Sequence, residues 1–366
     1  MIDANLYYPI FIYSVAAIGL IIGFRYISSP DYAVQEKGAP DFYLPLILCI
    51  IYAMFLGGRP VSHLFGDTVN YAREYIEMAP GEVGMDWHSE WVWHLFMTSC
   101  KSAGLSLEWF FTLVDLAYIL SALWAIKQFT PNNIMLGMVF VLSSLMFFTF
   151  GVNGIRNGVA CHILLLAMAL VFNDKYVAGC ITGAIAFGIH RSTALPIAAC
   201  VAALYVLKDV KYAIYFWLAC IPISLVAGGW FIAFFGSLGF DDRMTQYATL
   251  DASEGFSRTG FRWDFLLYSA MPVIMAWWVC IRKQISDNWY NALCIIYCLC
   301  NAFWILVIRA NFSNRFAYLS WFIYPIIIAY PLIMLPVWDD QDQKIALILF
   351  AYMLFTIVMN FIWGQL

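Results

Sequence analysis

Arg59, Arg73, Arg156, Arg191, Arg309 and Arg315 all sit at or just beyond the ends of long apolar runs. A guanidinium is permanently charged, planar and multi-donor, which suits a diphosphate, a carboxylate or sugar hydroxyls better than a lysine ammonium does. A charge this close to hydrocarbon is expensive unless it snorkels, pairs or binds something. Arginines drawn from separate segments around one anion would also stabilise the charge that develops on a departing diphosphate.

Four stretches carry these arginines beside groups fit for acid–base work. In the polar stretch 58–90, Gly58 and Pro60 bracket Arg59 in a turn. Asp67 is expected to cap a helix over 68–78 or, beside arginines, to act as general base for a hydroxyl acceptor. On that helix Arg73 and Glu77 have i,i+4 spacing, while Glu74 and Glu77 also read as a solvated face. Asn153 and Arg156 stand among glycines in FGVNGIRNGVA, just before a new apolar run. His190 and Arg191 separate two short runs, where His190 could cap a turn, shuttle a proton or donate to a phosphate. Arg309, Asn311, Asn314, Arg315 and Tyr318 form the last cluster, and Arg315 and Tyr318 share a face at i,i+3.

Asp86, His88, Glu90 and His94 invite a metal reading, but they contain no HExxH and no familiar ligand spacing. A helix cap or a sugar-contacting surface suits them better, with Glu90 kept as a site candidate. No metal and no cofactor is expected. Arg243, Tyr247, Arg258 and Arg262 lie in a polar stretch, 241–264, long enough for a lid or an acceptor-binding segment. Asp115 is a lone carboxylate within an apolar run, where ion coupling would favour a transporter.

The elements that must position these residues are membrane helices. Charged residues make up 11% of the chain, against about 25% in a soluble domain. Apolar runs near the length that crosses hydrocarbon recur throughout, at 6–24, 42–57, 107–126, 131–151, 157–172, 176–189, 192–207, 212–235, 264–281, 289–308, 316–336 and 344–363. The expected architecture is therefore an all-α polytopic membrane protein, one domain over 1–366 with about twelve spans. Met1–Tyr8 lacks the basic region of a signal peptide, so no cleavable signal is expected.

Lys37, Lys127, Lys175, Lys208, Lys211, Lys283 and Lys344, with Arg25 and Arg282, fall in alternate connections, which the positive-inside rule assigns to the cytoplasm. The arginine-bearing connections 58–106, 152–156, 190–191, 236–263 and 309–315 then face outward, as do both termini. That threading requires 90–104 to be a re-entrant or interfacial helix rather than a crossing. Of the ten cysteines, nine lie within or at the edges of apolar runs and read as small hydrophobes. Trp87, Trp91, Trp93, Trp263 and Trp321 read as an interfacial aromatic belt. No P-loop or dinucleotide fingerprint occurs, and the cytoplasmic connections are too short to hold a nucleotide or nucleic acid.

The polar clusters, taken in order, resemble the EpsG family of bacterial exopolysaccharide and O-antigen (Wzy-type) polymerases over about 40–335. The motifs are Asp67-Thr68 with Tyr71, then Glu90, then Asn153 and Arg156, then His190 with Ser192, and finally Arg315-x-x-Tyr318. Three positions depart from the family pattern. Asn157 follows Arg156 where Gln is common, Arg191 follows His190 where Lys is frequent, and Gly66 replaces an Arg before Asp-Thr. The resemblance implies a block-transfer glycosyltransferase in the bacterial cytoplasmic (inner) membrane. It would move an undecaprenyl-diphosphate-linked glycan onto a second lipid-linked repeat unit, on the extracytoplasmic side. It implies diphosphate binding by Arg156, Arg191 and Arg315, assistance from His190, and Asp67 as base or acceptor-orienting group. Arg59, Tyr71, Arg73, Glu90, Asn153, Arg309 and Tyr318 would line the substrate, and a chain-length-regulating membrane protein is a possible partner. A membrane acyltransferase acting on glycans and a lipid-linked glycan transporter are the rival readings.

Overall fold

The computed structural model describes residues 2–28, 42–79, 90–237, 260–311 and 313–363. Among them, eight helices are long and apolar enough to cross a membrane. These are Ala4–Ser28, Leu107–Phe129, Ile155–Phe172, Val210–Phe235, Trp263–Arg282, Asn288–Leu306, Asn314–Met334 and Gln341–Ile362. The expected spans near 42–57, 176–189 and 192–207 are helices of 15, 14 and 12 residues, short of the roughly 20 that hydrocarbon requires. Among the described residues eight helices, against the about twelve expected spans, meet the length of a full crossing.

The expected span 131–151 is broken. It forms Ile134–Leu142 and Phe147–Val152, with a turn between. Ser143 starts the turn: its hydroxyl donates back to the Val139 carbonyl at 2.6 Å, in addition to the ladder bond from its own amide at 2.9 Å. The Ser143 carbonyl is instead met by the Thr356 hydroxyl at 2.9 Å, so the break leaves that acceptor satisfied. The stretch 90–104 contains a helix of 12 residues, Trp91–Ser102.

The chain divides into two compact units, Met1–His190 with Ala329–Leu366, and Arg191–Ile328. In the first, α1 (Ala4–Ser28) packs on the C-terminal helix Gln341–Ile362, and α2 (Tyr43–Gly57) packs on Leu107–Phe129. Ile155–Phe172 is the hub of that unit, lying against both Leu107–Phe129 and Tyr176–Ile189. In the second unit Asn288–Leu306 is central, packed by Ala194–Tyr205, Val210–Ser237 and Asn314–Trp321.

A buried polar network holds the core of the second unit. Asn301 accepts from the Trp217 indole at 2.7 Å and donates to Ser269 and Ser320 hydroxyls at 3.1 and 2.9 Å. The Trp321 indole also donates to Ser269, at 2.8 Å. Within hydrocarbon such groups must satisfy one another. Trp321 therefore belongs to the core rather than to an interfacial belt, and Trp93 is equally buried at 2% exposure. Trp263 is 59% exposed, and Trp87 lies outside the described residues.

Candidate active site

Three elements of the first unit assemble the site. The first is the turn that leads into α3 (Thr68–Glu77). Gly66 adopts φ 54°, and a Cβ there would fall 2.4 Å from Asn153 Oδ1, so a side chain is excluded twice over. That close approach lets the Asp67 amide donate to Asn153 Oδ1 at 2.8 Å. Asp67 stands at the N-cap position, but its side chain makes no capping bond to the helix, contrary to expectation. Its Oδ1 accepts from the Asn70 side chain at 3.3 Å instead. Arg73 is exposed, and among the described residues it makes no ion pair with Glu77.

The second element is the break between Phe147–Val152 and Ile155–Phe172. Asn153 closes one helix and Gly154 opens the next, so Arg156 projects from a first turn. The third element is the junction of Trp91–Ser102 with Tyr176–Ile189. At Gly188 a Cβ would lie 2.3 Å from the Val92 side chain, so only glycine allows this crossing. The crossing brings Glu90, before one helix, to His190, after the other.

Glu90 is the centre of the cluster. Its Oε2 lies 2.6 Å from Arg156 Nη1, and its Oε1 is hydrogen-bonded to His190 Nδ1. Arg156 Nε also donates to the Tyr71 hydroxyl at 3.3 Å, with the guanidinium 5.4 Å from that ring's centre. Tyr71 rests edge-on against Trp93 at 5.8 Å. The Arg156, Glu90 and His190 side chains are 18, 16 and 22% exposed, low enough to limit screening and open enough for a ligand to reach. Burial alone would raise the Glu90 pKa. The His190 hydrogen bond and ring charge, followed by the Arg156 charge, outweigh it and hold the carboxyl at about 2.

A carboxylate depressed from 4.5 to about 2 adds stability that is complete above the higher value and disappears as the pH falls towards the lower. The melting-temperature gap between wild type and Glu90→Gln should therefore be widest near neutrality and close between about pH 4.5 and pH 2. A gap that stays constant over that range would show that Glu90 is not held ionised.

The remaining candidates lie elsewhere. Arg59 is buried with its side chain wholly inaccessible, and Nη1 pairs with Asp115 Oδ2 at 2.8 Å. Asp115 is therefore no lone carboxylate, and Arg59 stands apart from the half-open cluster. In the second unit Arg191 and Arg309 are exposed, Arg315 is half-buried and Tyr318 is buried. Arg309 donates to the Leu225 carbonyl at 3.3 Å, and Arg262 is held bidentate by Asp264 at 2.9 and 2.6 Å. Asp86, His88, Arg243, Tyr247 and Arg258 lie outside the described residues. Of the four residues weighed and set aside as metal ligands, Glu90 is engaged by Arg156 and His190, and the described residues contain no group of three or more His, Cys, Asp or Glu fit for a metal.

The chain matches the model of the EpsG family over residues 42–365. It belongs to the EpsG family. The match reaches past the 40–335 region in which the motifs fall, and takes in the last helix. No curated protein and no solved structure matches the chain. EpsG membership, with the eight long apolar helices, makes this a membrane-embedded protein associated with exopolysaccharide polymerisation of the glycosyltransferase type. Of the residues that carry the resemblance in the sequence, Asp67, Tyr71, Glu90, Asn153, Arg156 and His190 fall in the first unit, whereas Arg191, Arg315 and Tyr318 fall in the second.

The pairing of Arg59 with Asp115 and the double engagement of Glu90 had no signal in the sequence beyond isolated charges beside apolar runs. Asn301, Ser269 and Ser320 gave none at all.

Proposed function

We propose that this EpsG-family protein joins undecaprenyl-diphosphate-linked oligosaccharide repeat units outside the bacterial cytoplasmic membrane. The observation that carries the reading is the half-open Arg156–Glu90–His190 cluster with Tyr71 beside it. In the reaction an acceptor hydroxyl oxygen bonds to the donor's anomeric carbon, and the bond from that carbon to the diphosphate oxygen breaks. The hydroxyl proton passes to a base, and undecaprenyl diphosphate leaves with the bonding electrons. Arg156 is suited to the charge growing on the leaving diphosphate, since its fork is pre-aligned by Glu90 and Tyr71. His190, held by Glu90 through Nδ1, is suited to donate to the same diphosphate or to move a proton.

Glu90 is a poor base, because both oxygens are occupied and a carboxyl held at about 2 binds protons weakly. Asp67 is the better one: it is half-buried and its backbone is pinned by Asn153, while its carboxylate is not committed to capping. Arg191 and Arg315 keep the anion-binding role that the family pattern implies for them. The outward orientation rests on seven of the eight lysines falling in alternate connections, with Lys101 the exception.

The test is purified protein in lipid vesicles with a lipid-linked repeat unit as sole substrate. A ladder of joined units, without nucleotide or added metal, is expected. Repeat units that stay single, emerge acylated, or only cross the membrane would overturn the proposal.

A further inference from the structure

A buried ion pair outside the cluster is wired to it. Asp115 lies within the helix Leu107–Phe129 and is fully buried, and so is the Arg59 side chain that it pairs with. Arg59 reaches in three directions. Nη1 bonds Asp115 Oδ2 and the Leu56 carbonyl, both at 2.8 Å, and Nε donates to Thr68 Oγ1 at 3.2 Å. The Phe111 ring lies 4.4 Å from the guanidinium carbon and closes one face of it. Thr68, fully buried, passes the contact on: its hydroxyl donates to the Val152 carbonyl at 2.5 Å.

Val152 is the last residue of its helix, so its carbonyl is one of the acceptors that a helix end leaves open. Next to that bond, the Asp67 amide is bound to the Asn153 side chain. Two adjacent residues of the Gly66–Thr68 turn are thus fastened to two adjacent residues of the break from which Arg156 projects. The fastening is held from below by Asp115 through Arg59.

The pair is not built for stability alone. Arg59 Nη2 and Asp115 Oδ1 are buried without a hydrogen-bond partner, and such atoms carry a desolvation cost. A buried ion pair often contributes less stability than apolar residues of the same shape would, and fixing a register is its best-attested use. What this pair fixes is the position of Asp67 relative to Arg156. We infer that Asp115 and Arg59 are positioning residues, acting through Thr68, that set the separation of the proposed base and the proposed diphosphate ligand. Neither touches substrate, which separates Arg59 from the arginines that would. The role rests on the polymerase reaction proposed above.

Thr68 is the place to cut, because valine keeps its shape and removes both bonds. Thr68→Val should lower kcat about 10- to 100-fold, the range that a misplacement near 1 Å produces, with KM within about twofold. Thr68→Ser restores the hydroxyl and should return turnover to near the wild-type rate. Deuterium exchange of peptides covering 62–75 and 147–157 reads the wiring without any substrate. It should quicken about tenfold or more in Thr68→Val and Asp115→Asn, and stay at wild-type rates in Thr68→Ser.

Wild-type kcat in folded Thr68→Val, or Thr68→Ser as slow as valine, overturns the inference. If wild-type protein joins no repeat units, the reaction itself falls and the exchange arm decides the wiring. Unchanged exchange in both Thr68→Val and Asp115→Asn overturns it there.

Discussion

Arg156→Ala should stop polymer growth while single repeat units accumulate on their lipid, with the joining rate of purified protein falling by about 10²–10³. The magnitude follows from where the guanidinium sits. Its side chain is 18% exposed, so a charge facing it is stabilised more than it would be in water. Its orientation is set before substrate arrives, by Glu90 at 2.6 Å and the Tyr71 hydroxyl at 3.3 Å. Arg156→Lys keeps a point charge but gives up the fork, and should recover only part of the lost rate. Glu90→Gln should cost less than Arg156→Ala, because it loosens the aim of two groups and removes neither. Gel ladders of the lipid-linked products and initial rates in vesicles measure all three. Normal polymer length in Arg156→Ala would remove Arg156 from the reaction.

The helical membrane class was legible because hydropathy sums over many residues, and a handful of polar positions cannot disguise it. The same summation hid the break in 131–151. Ser143 is one residue in a strongly apolar run, and the group that accommodates its turn is Thr356, 213 positions along the chain. Periodicity carries no record of such a contact. Asp115 and Arg59 are a second case: 56 residues separate them, so each was visible as an isolated charge beside hydrocarbon and neither disclosed the other. Trp93 and Trp321 looked interfacial because an indole near the end of an apolar run has two homes. The choice was made by packing partners, Tyr71 and Phe110 for one and Ser269 for the other.

In the cluster itself the motif order named Tyr71, Glu90, Arg156 and His190, but not the bonds between them. That Glu90 holds Arg156 with one oxygen and His190 with the other depends on two helices crossing at Gly188. Its residue type alone also fitted a cap, a metal ligand and a sugar contact, and gave no sign of the two bonds.

Breaking the buried pair should have the largest effect on stability. Arg59→Met or Asp115→Leu, made singly, should each cost about 3–5 kcal/mol, since each leaves an uncompensated charge among apolar groups. The double variant should be more stable than either single one and close to wild type, because an apolar pair of similar volume has no charge to desolvate. Denaturant or thermal unfolding in detergent would measure the cycle. Costs that simply add would mean that the two side chains do not interact as the 2.8 Å contact requires. The double variant also separates stability from function. It restores the fold but not the bond from Arg59 Nε to Thr68, so a stable double variant should still turn over slowly. A double variant that regained both stability and turnover would leave the pair a purely structural element, and the positioning of Asp67 against Arg156 would then have to come from Asn153 alone.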